Sequence, residues 1–152
     1  MPPLVLRPVD LAEPSAARLA RAMSDKLAEL YGDGGASPVA PGDFRGSQAV
    51  FLVGSVEGED VVCGGLRVRC EGVGEIKRMY VAPASRGRGL ARSRLRVLLA
   101  RTRDVGLGRV QLETGALPPA AAGLYASEGF TPITAYGHFR EDPRSLCFAL
   151  DL

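Results

Sequence analysis

Residues 74–99 read GEIKRMYVAPASRGRGLARSRLRVLL, and this stretch decides the fold. Its first eight residues predict a strand, because they include the β-branched and aromatic residues that strands favour. Successive side chains of a strand point to opposite faces, which predicts two sets: Ile76, Arg78 and Tyr80 on one face, and Lys77, Met79 and Val81 on the other. A loop rich in glycine and arginine follows, and the apolar spacing from Leu90 to about Val105 then predicts a basic helix.

A strand that passes through a glycine-rich loop into a helix is suited to binding an anion. The first N–H groups of a helix have no partner within the helix, and the helix dipole adds partial positive charge there. Gly87 and Gly89 lack a Cβ atom, so a phosphate can approach the backbone. Arg86, Arg88 and Arg92 can add charge-assisted hydrogen bonds. The loop therefore predicts a phosphate or pyrophosphate site at residues 86–92.

Three other interpretations of this loop compete with an anion site of this kind. A P-loop is excluded, because the chain lacks the GxxxxGK[ST] pattern. A dinucleotide-binding (Rossmann) site fits in part, since GRGLAR begins as GxG and Glu113 ends the next strand about 24 residues later. However, Arg92 replaces the third glycine, and the strand is too charged to be buried on both faces. A solvated helix face explains the arginines farther along the helix but not the two glycines. These arginines are Arg94, Arg96, Arg101 and Arg103.

Outside this stretch, hydrophobic periodicity and turn residues predict the order β-α-β-β-β-α-β-α-β-β. With 152 residues and no internal repeat or linker, the chain is expected to form a single domain over residues 1–152. The order predicts an α/β (α+β) fold with helices on both faces of one sheet. The terminal segment 145–152 is an apolar strand, and at a sheet edge it would offer a surface for a homodimer.

Composition limits the possible functions. The net charge is only +2, so the positive charge is local, and the arginines of the basic helix lack the interleaved aromatic residues of a nucleic-acid surface. No apolar run reaches the roughly 18–20 residues of a membrane span, and no signal peptide is recognised. Three scattered cysteines and one histidine disfavour disulfides and a metal site. The expected location is the reducing cytoplasm.

Two segments resemble one known family. RGRGLA at residues 86–91 resembles the Q/R-x-x-G-x-G/A signature of the GNAT-superfamily N-acetyltransferases, and LYASEGF at residues 124–130 is similar to that family's LY-x-x-x-GF segment. The resemblance is good over about residues 50–150. It implies a single mixed, mostly antiparallel sheet flanked by helices, acetyl-coenzyme A as donor, a primary amine as acceptor, and no metal.

The resemblance also implies which residues hold the coenzyme. The backbone of Met79, Tyr80 and Val81 would pair with the pantetheine arm. The pyrophosphate would lie against the backbone amides of six successive residues: Arg86, Gly87, Arg88, Gly89, Leu90 and Ala91. This agrees with the anion site expected from the helix end alone.

Amide formation from a thioester requires an amine that has lost its proton, a stabilised carbonyl oxygen and protonation of the leaving thiolate. We expect Tyr125, whose place matches the family tyrosine, to be the acid. Glu75, at the start of the coenzyme strand, is the expected base; Glu113 and water alone remain alternatives. The carbonyl oxygen would be stabilised by a backbone N–H of Met79 or Tyr80, which requires interrupted sheet pairing.

The acceptor pocket is expected to draw on four residues: Tyr31, Arg67, Arg78 and Tyr136. The arginines suit a carboxylate on the acceptor, whereas acidic residues in the same loops suit a cationic amine. These acidic residues are Asp33, Asp43, Glu141 and Asp142. An amino acid, a protein N-terminus, a lysine side chain and an amine drug therefore all remain open as acceptors. The alternative from another class is a non-catalytic coenzyme A-binding sensor or interaction module.

Overall fold

The computed structural model describes residues 2–31, 39–115, 120–136 and 145–152, without the side chains of Tyr31, Gly115 and Ala120. The strands are β1 (Leu4–Val9), β2 (Val50–Val56), β3 (Glu59–Cys70), β4 (Val73–Val81), β5 (Arg109–Gly115), β6 (Thr131–Ile133) and β7 (Ser145–Asp151). The helices are α1 (Pro14–Tyr31), α2 (Leu90–Asp104) and α3 (Ala120–Ser127), with single 3-10 turns at Pro41–Phe44 and Pro83–Ser85. This is the order of helices and strands that the sequence predicts.

The seven strands form one sheet in the order β1-β2-β3-β4-β5-β7-β6. Five neighbouring pairs are antiparallel and only β4 and β5 run parallel. The predicted mixed, mostly antiparallel sheet is therefore confirmed. The dinucleotide-binding alternative is wrong, because its sheet would be mostly parallel.

The two faces of the sheet are covered by different helices, as predicted. On one face, Leu95 and Leu98 of α2 and Tyr125 of α3 pack with Ile76 and Leu112 of the central strands. On the other, Leu19 of α1 packs with Phe44, Phe51 and Cys63. These two groups are called the α2-side core and the α1-side core. No helix in the described ranges has the length and apolarity to span a bilayer.

A β-bulge in β4 changes the predicted alternation of side chains. Cys63 of β3 faces Tyr80 and Gly65 faces Lys77, so two residues of β4, Arg78 and Met79, oppose the single residue between them. Arg78 has φ +57, a left-handed conformation that costs a non-glycine residue about 1–2 kcal/mol.

The alternation predicted beyond Lys77 is therefore wrong. Met79 packs with Ile76 in the α2-side core, whereas Tyr80 packs in the α1-side core. The extra residue of the bulge shifts the later side chains by one position, which sends each to the opposite face.

The last strand does not lie at an edge of the sheet. β7 pairs with β5 along Ser145–Asp151 and with β6 through Cys147–Ala149. The edge strands are β1 and β6. The expected exposure of β7 is wrong, and it gives the homodimer no support.

Candidate active site

The two parallel strands separate at the centre of the sheet. Pairing of β4 with β5 runs from Val73 and Arg109 to Ile76 and Leu112, although β4 continues to Val81. Within the described ranges, the β5-facing edge of β4 from residue 77 to 81 therefore has no strand partner. The interrupted pairing that a free N–H near Met79 or Tyr80 requires is present here.

The unpaired edge of β4 leads directly into the glycine loop. Gly87 and Gly89 have φ values of +80 and +76, and a Cβ atom built on either would meet nothing within 4 Å. Gly89 is the N-cap of α2, and the N–H of Ser93 makes the first helical hydrogen bond to its carbonyl at 3.1 Å. The N–H groups of the first turn, residues 90–92, precede this bond. Space, positive φ and free donors together fit a phosphate group.

The arginines around this loop have different partners. Arg86 turns back towards β4, where its Nε donates to the carbonyl of Val81 at 3.1 Å and its guanidinium lies over the Tyr80 ring. Arg92 forms an ion pair with Glu128, the residue that directly follows α3. A contact from Arg92 to a phosphate therefore has to compete with this carboxylate. Arg88 is exposed on the loop.

The first residues of α2 anchor the loop to the sheet. Leu90 is buried, 5% exposed, and packs with Val62 and Val81. Ala91 is half-buried beside it. The helix start is thereby held against the end of β4.

Tyr125 lies within the α2-side core. Its ring makes an edge contact with Phe130 and a tilted contact with Phe148, at centroid distances of 5.7 and 6.1 Å. Burial raises the pKa of the phenol, and the nearby charge of Arg94 partly opposes this shift. Tyr125 is consequently protonated at neutral pH, as an acid must be.

Glu75 is buried, 5% exposed, on the opposite face of the sheet. Its Oε1 accepts a 2.8 Å hydrogen bond from Nε of Arg67, and Nη1 of Arg67 donates to Oδ2 of Asp43 at 2.8 Å. One arginine thus holds two carboxylates. Glu75 precedes the last paired residue of β4 by one position, so it lies next to the separation of the strands.

Tyr136 joins the same polar face. Arg69 lies over its ring at 4.5 Å, and its hydroxyl is buried. Burial first, and then the nearby charge of Glu75, raise the pKa of Tyr136 well above its usual range. Burial first, and then the nearby charge of Arg67, lower the pKa of Arg78. Three of the four predicted acceptor residues, Arg67, Arg78 and Tyr136, therefore meet near Glu75.

Several other predicted positions cannot be placed. The structure does not describe the side chain of Tyr31. Three of the acidic residues lie wholly outside the described residues: Asp33, Glu141 and Asp142. Within the described ranges, no three potential ligands cluster as a metal site would require. Burial raises the pKa of the Cys63 thiol to about 12, so this cysteine is un-ionised at neutral pH and unsuited to nucleophilic catalysis.

Sequence reasoning missed two buried polar residues. A solvated helix face, which was one of the competing interpretations, predicts an exposed Arg94, but this residue is only 3% exposed. The signal was available, since Arg94 lies four residues from both Leu90 and Leu98 and thus on the apolar stripe of the helix. Gln111 of β5, opposite Glu75, has a buried Oε1 with no partner in the described part of the chain. No sequence signal distinguishes Gln111, because a single polar residue in a strand is common.

Comparison with known proteins agrees with this geometry. A family model described as an acetyltransferase (GNAT) domain matches residues 47–132. An IAA acetyltransferase of Azospirillum brasilense is 37% identical over 97 residues, which cover 63% of this chain and 63% of that protein. The chain thus matches less than two thirds of that relative's length.

Solved structures resemble the chain over nearly its whole length. One from Klebsiella pneumoniae subsp. pneumoniae MGH 78578, assigned as an acyl-CoA N-acyltransferase, has TM-score 0.81 and 27% identity, covering 98% of this chain and 97% of that one. A GNAT family acetyltransferase from Elizabethkingia anophelis, solved with acetyl-CoA bound, has TM-score 0.72 and 15% identity, covering 98% of each chain, and shares the fold. The family model matches more than half of the residues of this chain. The chain therefore belongs to the GNAT acetyltransferase family.

Proposed function

We propose that this protein is an N-acetyltransferase that moves an acetyl group from acetyl-coenzyme A to a primary amine by direct attack in a ternary complex. The observation that carries this proposal is the continuity of the unpaired edge of β4 with the open glycine loop at the start of α2. An extended arm ending in a pyrophosphate needs backbone groups along one edge and free N–H groups at its end. Both features occur here in that order.

The chain's own residues would hold the coenzyme as follows. Those backbone groups of the segment Met79–Val81 that point away from β3 would face the gap left by β5, where the pantetheine amides can take the place of a strand. Amides of residues 86–91, with the side chains of Arg88 and Arg92, would bind the pyrophosphate. Leu90 keeps the helix end in place through its packing.

The bound coenzyme supplies an acetyl thioester, whose carbonyl carbon accepts the amine while the carbon–sulfur bond breaks. The amine must first give up a proton, and Glu75 lies near the separation of the strands to receive it directly or through water. The departing sulfur takes a proton from Tyr125. A backbone N–H near the bulge, at Met79 or Tyr80, would donate to the carbonyl oxygen as its charge develops.

The acceptor is expected on the α1 face of the sheet. Arg67, Arg78 and Tyr136 lie around Glu75 there, so a small amine that also carries a polar or anionic group would meet complementary side chains. Amino acids, peptide N-termini and lysine side chains share this chemistry, and an amine panel distinguishes them.

Calorimetric titration with acetyl-coenzyme A, with NADH as a parallel ligand, tests the coenzyme site first. Micromolar binding of acetyl-coenzyme A alone supports the proposal. An amine panel with thiol-release detection then tests catalysis, and intersecting initial-velocity lines are expected for a ternary complex. Tight binding with no release for any amine would instead indicate a coenzyme A sensor, and NADH binding would contradict the coenzyme assignment.

A further inference from the structure

Gln111 of β5 lies beside Glu75 on the α1 face of the sheet. The two residues are partners in the parallel pairing of β4 and β5. Val110 and Leu112, the sequence neighbours of Gln111, belong to the α2-side core, so the alternation of a strand places the Gln111 side chain on the opposite face. Paired strands lie about 4.8 Å apart, which allows one small group to contact both side chains.

The amide of Gln111 has a buried oxygen without a donor. Its Oε1 is enclosed and accepts no hydrogen bond from the described residues. Most buried polar atoms in proteins are paired, and an unpaired one costs about 1–3 kcal/mol. The side chains at the paired strand positions cannot donate to it, because Glu75 offers a carboxylate and Ala149 of β7 a methyl group. An N–H group of a ligand would satisfy this oxygen.

Two cations close to Gln111 are held by carboxylates. Nε of Arg67 donates to Oε1 of Glu75 at 2.8 Å, and Nζ of Lys77 lies 3.4 Å from Oε1 of Glu113. The carboxylates of this face are thus balanced by charges within the chain, whereas the neutral oxygen of Gln111 has no donor in the part of the chain that the structure describes. An amide oxygen beside a carboxylate suits a nitrogen that carries more than one N–H group.

A small molecule can approach this pair of acceptors. Gln111 as a whole is only half-buried, so part of its side chain is open. The last torsion of a glutamine side chain is soft, and its rotation can turn Oε1 towards an arriving donor. Gln111 and Glu75 both lie one position before the last paired residues of β5 and β4. A molecule that enters where the strands separate therefore meets both.

We propose that Gln111 binds the reacting nitrogen of the acceptor, with Oε1 accepting one N–H of the amine whose proton Glu75 receives. This inference rests on the proposed function and adds that the site selects primary over secondary amines.

The selection follows from the protons of the reaction. An alkylamine is a cation with three N–H groups at neutral pH, since its pKa is about 10.4. One proton passes to Glu75 before attack. A second is lost through solvent as the amide forms, and it balances the proton that Tyr125 gives to the sulfur. The third stays on the product nitrogen, and this is the N–H that Gln111 accepts. A secondary amine retains no such N–H in its amide.

Gln111→Met separates a ligand-binding role from a structural one. Methionine is similar in length to glutamine but lacks the amide. If Oε1 serves a ligand, its removal costs the free protein no hydrogen bond, and the unfolding temperature should stay the same or rise. Gln48→Met is the matched control, because Gln48 is also half-buried but its Nε2 donates to the carbonyl of Val105 at 2.9 Å. This control should lose stability and keep its kinetics.

The test uses the amine of the panel that gives the fastest thiol release, together with its N-methyl derivative. Gln111→Met should lower kcat/KM for the primary amine about ten- to a hundredfold, the effect of a charge-assisted hydrogen bond, mainly through KM of the amine. KM for acetyl-coenzyme A should change less than about threefold. The preference of the unmodified chain for the primary over the N-methyl amine should fall about tenfold in Gln111→Met.

An unchanged KM for the amine would overturn the inference, as would an unchanged preference between the two amines. A loss of stability in Gln111→Met as large as that in Gln48→Met, or a failure to fold, would also overturn it, since the amide would then be structural. Absence of thiol release from the unmodified chain with every amine would refute the proposed function and this inference with it. That failure is distinguishable, because it appears without any change at Gln111.

Discussion

Lys77 and Glu113 bridge the two diverging strands at the first position where they no longer pair. The last partners of β4 and β5 are Ile76 and Leu112, and the next residue of each strand contributes to an ion pair with Nζ 3.4 Å from Oε1. Both side chains are almost fully buried, at 6% and 7% exposed. Side-chain electrostatics thus replace backbone hydrogen bonds where the sheet opens.

Glu113→Gln is therefore expected to destabilise the fold by about 3–5 kcal/mol at pH 7, since it leaves a buried lysine without that carboxylate. Burial lowers the pKa of Lys77, and the charges of Glu75 and then Glu113 oppose this shift, so removing the Glu113 charge lowers this pKa further. A lysine whose folded pKa lies below about 10.4 binds fewer protons folded than unfolded, and stability rises with pH between the two values.

Denaturant unfolding of Glu113→Gln at pH 7 and at pH 9.5 measures this effect. The difference in unfolding free energy between the variant and the unmodified chain should shrink at the higher pH. A constant difference would mean that Lys77 is not the cause of the loss.

Much of this fold follows from local sequence patterns. The order of helices and strands and the glycine loop were predicted, because hydrophobic periodicity and turn residues indicate them directly. The position of β7 inside the sheet was not predicted, because edge strands and interior strands share the same apolar pattern when one face is buried. Strand order depends on contacts far apart in sequence, which local patterns do not contain.

The local geometry of the candidate site follows from the sequence where glycines determine the backbone, and it does not where it depends on tertiary contacts. The loop at Gly87 and Gly89 carries its geometry in its glycines. The bulge at Arg78 has no glycine to signal a positive φ, so the strict alternation of side chains was expected to continue. Burial of Arg94 likewise depends on the space above Gly64, which only the paired strands create.

Gly89→Ala should abolish tight binding of acetyl-coenzyme A, because a methyl group would occupy the open approach to the first amides of α2. The substitution also strains a φ of +76, at a cost of about 1–2 kcal/mol in stability. Gly106→Ala is the matched control, since Gly106 follows the other end of α2, has φ +83 and has equally open surroundings. Both variants should lose similar stability by thermal unfolding, while calorimetry detects lost affinity only for Gly89→Ala. Equal affinities would refute the assignment of the loop.

Tyr125→Phe should lower kcat by about a hundredfold or more, because a general acid typically contributes that much. The affinity for acetyl-coenzyme A, measured by calorimetry, should change little, since the ring contacts with Phe130 and Phe148 remain. Steady-state thiol release measures the loss. Unchanged turnover would make Tyr125 a packing residue only.

Glu75→Gln should lower kcat by about a hundredfold if this carboxylate removes the proton of the amine. Asp43→Asn is the comparison, because it removes the other carboxylate that Arg67 holds. If Glu75 acts as base, its substitution should also raise the pH at which the rate becomes half-maximal, since free amine is then supplied only by solution. The pH–rate profiles of both variants distinguish a base from a residue that only holds Arg67. Equal losses of kcat with the same pH dependence would assign Glu75 to holding Arg67.

Arg92→Gln should weaken binding of acetyl-coenzyme A about three- to tenfold if Arg92 exchanges Glu128 for a phosphate. Arg96→Gln is the control, because Arg96 contacts the same carboxylate one turn farther along α2, with Nη2 3.1 Å from Oε1, and is not expected to reach the loop. Glu128→Gln should have the opposite effect and tighten binding, since it releases Arg92 from its ion pair. Calorimetry at low and high salt measures all three, and the differences should shrink as salt screens the exposed charges. Equal weakening by Arg92→Gln and Arg96→Gln would show that only the overall charge of the helix matters.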